Sequence, residues 1–245
     1  MLVLPGITSP AATWLFVARH LASDRRVVVA DIRGRGLSDS RPGLGYGLDD
    51  YVADALGMIA AIGLERPIIL GHSMGARIAI RLAATSPTVP VALILADPPL
   101  TGPGRTAYPT PIESYLSAHT AASNGASIDQ FRLLNPSWSD DQIALRLEWL
   151  PTCCIEAITQ THANFHSEDI HTDLPKITCP TLLIRAANAN VVTPEGAAEV
   201  VALLRQGRVE AVTAGHMIPW ENLPEFLAIV RRFLEYDCTD PRETN

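Results

Sequence analysis

Along the first hundred residues, short apolar runs alternate with longer runs whose apolar residues recur at helical spacing. Leu2–Leu4, Val27–Asp31, Pro67–Leu70 and Val91–Ala96 read as strands. Between them, Ala11–Ala22 and Asp49–Ile62 carry helical periodicity, with Gly63 as a C-terminal stop, and a further helix runs on to about Ala84. Strands without a polar face, separated by helices, predict a mostly parallel sheet covered on both sides. The rhythm breaks after Asp97. Pro98–Pro111 is rich in Pro, Gly and Thr and reads as an exposed excursion. Ile112–Ser123, Ile128–Leu134, Asp140–Leu150 and Cys154–Phe165 then follow as helices with no strand among them. Strands resume at Thr181–Arg185 and Arg208–Val212, with helices at Ala197–Leu204 and Leu223–Tyr236. The expected organisation is an α/β core of residues 1–100 and 175–245, interrupted by a helical cap at 101–174. Ile112, Tyr115, Trp138 and Trp149 are expected to form the cap's own core rather than a specificity pocket.

Composition narrows the functions open to such a chain. Its 245 residues are 47% hydrophobic and 18% charged, which excludes a disordered protein. The net charge is −7, Lys176 is the sole lysine and the arginines occur in ones and twos, so no basic run grips a nucleic acid. No apolar run nears the roughly 20 residues of a membrane span. Met1–Gly6 has no signal-peptide character, so a cytoplasmic protein without membrane partners is expected. Cys153, Cys154, Cys179 and Cys238 form no CxxC pair and read as reduced thiols. His162, His166, Asp169 and His171 have a ligand-like spacing, but no second motif closes a site, so they read as a polar stripe and no metal is expected.

The chemistry centres on Gly71-His72-Ser73-Met74-Gly75. This G-x-S-x-G follows a predicted strand and opens a predicted helix, the context in which a serine hydroxyl projects as a nucleophile. Met74 N–H, at the helix N-terminus, is then an oxyanion donor. A hydroxyl needs a base. Of seven histidines, His216 lies between the last strand and the last helix, at the same sheet edge as Ser73, whereas His72 is expected to pack beside the turn. The loop after Thr181–Arg185, where the third member would ordinarily stand, offers Asn190 but no carboxylate, and Glu195 beside Pro194 suits a helix start. Asp97, at the end of the neighbouring strand, is therefore the expected acid, with Asn190 the weaker alternative. In Pro5-Gly6-Ile7-Thr8 the glycine lets the backbone turn, and Ile7 N–H is the second expected oxyanion donor.

Leu4-Pro5-Gly6-Ile7, the stretch from Asp31 to Ser38, Gly71–Gly75 and Gly215-His216 together resemble the α/β-hydrolases over the whole chain. Longer strings, Pro5–Trp14, Gly71–Ile80, Asp97-Pro98-Pro99 and Gly215–Trp220, are similar to the N-formylmaleamate deformylases of aerobic nicotinate degradation. That resemblance implies a serine hydrolase that releases formate and maleamate without a cofactor. It also implies an acid after the strand that follows the nucleophile helix, which Asp97 matches. The substrate is then a small carboxylate-bearing amide, and Arg105, Arg132, Arg146 and His166 are candidates to receive its charge. The shorter motifs fit a carboxylesterase or enol-lactonase equally, and a non-catalytic ligand-binding protein is the alternative of another class. Against the family pattern the chain starts almost on its first strand, so either the start is late or truncated, or an exposed sheet edge is expected. The oligomeric state stays open.

Overall fold

Side chains of the strands alternate between two apolar cores, and helices close both. The computed structural model describes residues 1–236. Its strands are β1 (Leu2–Leu4), β2 (Val28–Val29), β3 (Ile68–His72), β4 (Ala92–Ala96), β5 (Thr181–Ala186) and β6 (Gly207–Val212). They form one sheet in the order β2-β1-β3-β4-β5-β6, parallel at every pairing. The helices are α1 (Leu15–Leu21), α2 (Leu48–Ala61), α3 (Met74–Thr85), α4 (Ile112–Ser123), α5 (Ile128–Arg132), α6 (Asp140–Trp149), α7 (Ile155–Ser167), α8 (Pro194–Leu203), α9 (Ile218–Glu221) and α10 (Leu223–Tyr236). Leu2, Leu4, Ile69, Leu93 and Leu183 pack under α2, α3 and α8. Val3, Leu70, Ile94, Leu182 and Ile184 face the opposite core with Val17 of α1 and Phe226, Val230 and Phe233 of α10.

The expected β-strand at Val27–Asp31 shrinks to the two residues of β2, an edge strand paired only with β1. Asp31 leaves the ladder and turns the chain, its carboxylate accepting from the N–H groups of Ala11 (2.6 Å) and Leu37 (3.1 Å). The short helix α9 was not legible, because Pro219 at its start masked the periodicity. Glu195 does sit in the first turn of α8, behind the Thr193 cap.

Between β4 and β5 the chain is helical. Ser127 and Ser139 cap α5 and α6 reciprocally with Gln130 and Gln142, which fixes where each short helix begins. Both ends of the insert are tied to α3 by buried Arg77, which donates to the carbonyls of Pro99 (2.8 Å), Thr101 (3.0 Å) and Glu168 (2.7 Å). The excursion Pro98–Pro111 is consequently not exposed throughout: Thr101 and Tyr108 are buried, and the exposed positions are 103–107, Pro109 and Pro111. Cys153, Cys154 and Cys179 are free thiols. Cys238 and the last residues of the expected core segment lie outside the described residues. Among the described residues, no helix is long and apolar enough to cross a membrane.

Candidate active site

Ser73 occupies the turn between β3 and α3 with φ 53° and ψ −118°, a conformation costly for a residue with a Cβ. The turn closes only because its flanks are glycine. A Cβ on Gly75 would strike the carbonyl of Leu4 in β1, and one on Gly71 would strike the backbone of Gly75 and Ala76. Ser73 N–H donates to the Ala96 carbonyl (2.8 Å), so the turn is also fastened to the end of β4.

Asp97 follows β4 directly, fully buried and again at positive φ (47°). Its Oδ1 accepts from Ala186 N–H (3.1 Å) at the end of β5, and its Oδ2 meets His216 Nδ1 at 2.7 Å. A carboxylate only accepts, so Nδ1 of His216 carries the proton and Nε2 is left as an acceptor. Ser73 Oγ lies 3.0 Å from that Nε2 and donates to it. Structure thus brings together Ser73, His216 and Asp97, while Asn190 is exposed. Such a chain can draw a proton from the serine hydroxyl and hold the resulting imidazolium beside a fixed charge.

His72 lies behind the turn as expected. Its Nε2–H donates to the His216 carbonyl (2.9 Å), and burial, followed by the nearness of His216, pushes its pKa down to about 3. It is neutral at ordinary pH and braces the His216 loop. Gly215 N–H donates to Glu221 (2.7 Å) from the other side.

Ile7 and Met74 flank Ser73, and neither backbone N–H has an acceptor among the described residues. The Ile7 carbonyl is held by Arg35 Nε (2.9 Å). Arg35 is buried and also donates to the Arg33 carbonyl, Tyr51 Oη, the Ala157 carbonyl and Thr161 Oγ1, so this one side chain links the Ile7 loop to α2 and α7. Sequence reasoning placed Arg35 only in a turn; a lone arginine between glycines gives no sign of such a role.

A cavity of about 850 Å³ opens over Ser73, walled by the Ile7–Ser9 loop, His216, Arg146 and helices of the insert. Tyr115 and Trp138 line it, contrary to the expectation that they serve only the insert's core, because α4 and the turn before α6 stand directly over the sheet edge. Trp138 does both, stacking on Trp220 at 4.6 Å between ring centres. Ile112 packs on the core beside them. Tyr108, hidden to sequence reasoning in the Pro- and Gly-rich stretch, reaches His216 Nε2 (3.5 Å) and Tyr115 Oη (3.0 Å). Of the four charge candidates, Arg146 alone lines the cavity. Arg105 pairs with Glu199 (3.1 Å) and Arg132 with Asp140, both at the surface. His166 stands beside His162, whose Nε2–H donates to the Thr110 carbonyl (2.8 Å). Among the described residues, no three or more His, Cys, Asp or Glu side chains are grouped to hold a metal.

Known proteins are similar to this chain in sequence and fold. Over 237 residues the chain is 46% identical to an N-formylmaleamate deformylase of Pseudomonas putida, spanning 96% of this chain and 88% of that protein. The crystal structure of an N-formylmaleamic acid deformylase from Pseudomonas putida S16 superimposes with a TM-score of 0.89 at 46% identity, covering 94% of this chain and 90% of that one. An enol-lactonase of Burkholderia xenovorans shares the fold at 19% identity, with a TM-score of 0.76 over 96% of this chain and 90% of its own. The model of the alpha/beta hydrolase family matches residues 1–229. The chain belongs to the alpha/beta hydrolase family.

Proposed function

We propose that the chain hydrolyses the formamide bond of N-formylmaleamate, giving formate and maleamate, with Ser73 as nucleophile, His216 as general base and acid, and Asp97 as its partner. The observation that carries this reading is the unbroken hydrogen-bond chain from Ser73 Oγ through His216 to buried Asp97. The deformylase relative supplies the choice of substrate.

On this reading His216 Nε2 takes the Ser73 proton as Oγ adds to the formyl carbon. The carbonyl electrons move onto oxygen, which the free N–H groups of Ile7 and Met74 receive; donors held in place before the reaction cost no reorganisation during it. His216 returns the proton to the amide nitrogen, the C–N bond breaks and maleamate leaves. Water, deprotonated by His216, then attacks the formyl ester of Ser73, releases formate and restores the hydroxyl. Asp97 holds the imidazole tautomer and balances the imidazolium in both halves. The helices at 101–174 act as the cap that walls the substrate off from water. The buried free thiols of Cys153 and Cys179 suit a reducing compartment such as the cytoplasm.

The test is formate release from N-formylmaleamate, run beside 4-nitrophenyl formate and an enol-lactone. N-formylmaleamate is expected to have the highest kcat/KM. Ser73→Ala is expected to lower its kcat by about 10⁴-fold or more. Faster turnover of the lactone or ester would reassign the enzyme to those substrates, and binding without turnover of any of them would make it a receptor.

A further inference from the structure

Arg146, on α6, lies in the cavity wall with two of its five N–H groups engaged: Nη1 donates to the Thr8 carbonyl and Nη2 to Thr8 Oγ1 (2.6 Å). The other three have no acceptor, and no carboxylate pairs with the side chain, among the described residues. Desolvation by burial lowers its pKa from the usual arginine range. A guanidinium nevertheless keeps its proton inside a protein, so this is a charge partly withdrawn from water, half-buried in the cavity wall, without an opposite charge beside it.

Arg35 is the internal comparison. It is fully buried where Arg146 is half-buried, and it too has no carboxylate, but all its N–H groups meet acceptors: the carbonyls of Ile7, Arg33 and Ala157 and the hydroxyls of Tyr51 and Thr161. Arg35 is a completed structural cation. Arg146 has donors to spare in the wall of the cavity that Ser73 also lines. Glu113 is the other charged residue along the cavity, aside from the histidines, and it is exposed.

We propose that Arg146 is the specificity-determining residue of the site, receiving a carboxylate of the substrate's leaving group on its unused N–H groups. The proposal rests on the hydrolase reading above and specifies the substrate class: formamides or small acyl compounds whose leaving group carries an anion. A guanidinium presents parallel donors that match the two oxygens of a carboxylate, so it fixes the direction of the leaving group as well as its charge. Thr8 stays bonded to Arg146 and stands one residue from Ile7, so the anion grip and the proposed oxyanion donor share one loop.

The experiment has two arms. In the first, kcat/KM is measured for N-formylmaleamate and for neutral 4-nitrophenyl formate in the parent, Arg146→Met and Arg146→Lys. The anionic-to-neutral ratio is expected to fall by about 100-fold in Arg146→Met, mainly through KM, because a site built for hydrogen bonds discriminates strongly. Arg146→Lys is expected to recover part of it, since it keeps the charge and loses the fork. An unchanged ratio, with both substrates falling together, would reduce Arg146 to a brace for the Thr8 loop and overturn the proposal. The second arm needs no turnover: calorimetric binding of maleate to Ser73→Ala is expected, and its loss in Ser73→Ala/Arg146→Met. Equal binding to both, or binding to neither, overturns the proposal. Maleate binding through Arg146 without deformylation of N-formylmaleamate would leave Arg146 in place and refute the choice of substrate alone.

Discussion

Ser73, Asp97 and His216 stand at the ends of strands, whereas Tyr108, Tyr115 and Arg146 stand on the helical insert and its approach, and the two sets are held in different ways. Backbone holds Ser73 and Asp97 of the first set, and the side chains of Asp97 and His72 hold His216. Ser73 and Asp97 are both at positive φ, tied to the ladder through the Ala96 and Ile184 carbonyls (2.8 Å each). Strain of that kind persists only where the surroundings over-determine it. Side chains hold the second set, through hydroxyl pairs, a histidine–carbonyl bond and arginines on carbonyls. The sheet edge therefore supplies fixed chemistry, and the insert supplies a surface that meets it at few points, among them Tyr108 on His216 Nε2 and Arg146 on Thr8.

The largest effect falls on the fixed set. Asp97→Asn is expected to lower kcat by about 10³–10⁴-fold, because an amide at the His216 Nδ1 position favours the wrong tautomer. Asn190→Ala, on the exposed loop after β5, is expected to change kcat by less than about 2-fold, as surface substitutions ordinarily do. Steady-state formate release measures both. A large loss in Asn190→Ala with a small one in Asp97→Asn would move the acid to the β5 loop and undo the contrast.

Arg35 is where the two sets join, and removing it tests whether they are independent. Arg35→Met leaves the carbonyls of Ile7 and Ala157 without their donor and is expected to cost roughly 3 kcal/mol in urea unfolding. With the Ile7 peptide released, kcat is expected to fall about 10-fold or more while KM moves less, since an oxyanion donor acts in the transition state. Arg35→Lys, reaching fewer of the acceptors, should recover only part of the stability. Loss of stability with kcat intact would show that the Ile7 loop keeps its shape without help from the insert.

The same contrast explains what could be read from the sequence. Gly71, Gly75 and Ser73 were legible because a turn this tight restricts residue type at fixed spacing, and the apolar strands marked where it sits. Asp97 and His216 were legible as the polar residues that end or follow strands on one edge. Arg146 was one of four equivalent candidates, because nothing local distinguishes a helix arginine that faces a cavity from one, like Arg132, paired at the surface with Asp140. Tyr108 was read as exposed because Pro and Gly around it signal a loop, and loops are buried only by contacts distant in sequence, here with Phe165 and His216. Tyr115 and Trp138 were assigned to the insert's core because an aromatic residue on or beside a helix looks the same whether it faces a core or a ligand cavity.

The smallest predicted effect concerns His72, the buried brace of the reacting set. Trp14, Gly6 and His216 surround it, and its folded pKa is down at about 3 while the unfolded chain titrates near 6.5. Between those values the unfolded state binds the extra proton. Stability is therefore lost as pH falls below about 6.5, at up to ~1.4 kcal/mol per pH unit, or of order 2 kcal/mol by pH 5. His72→Gln keeps an N–H donor for the His216 carbonyl and has no proton to gain. Urea unfolding of both proteins at pH 7, 6 and 5 isolates the effect, because every other titrating group is shared. The variant is expected to be the less stable at pH 7 and to close the gap as the pH falls. Parallel curves would show that His72 takes up no proton on unfolding and would place the acid sensitivity outside the strand-end set.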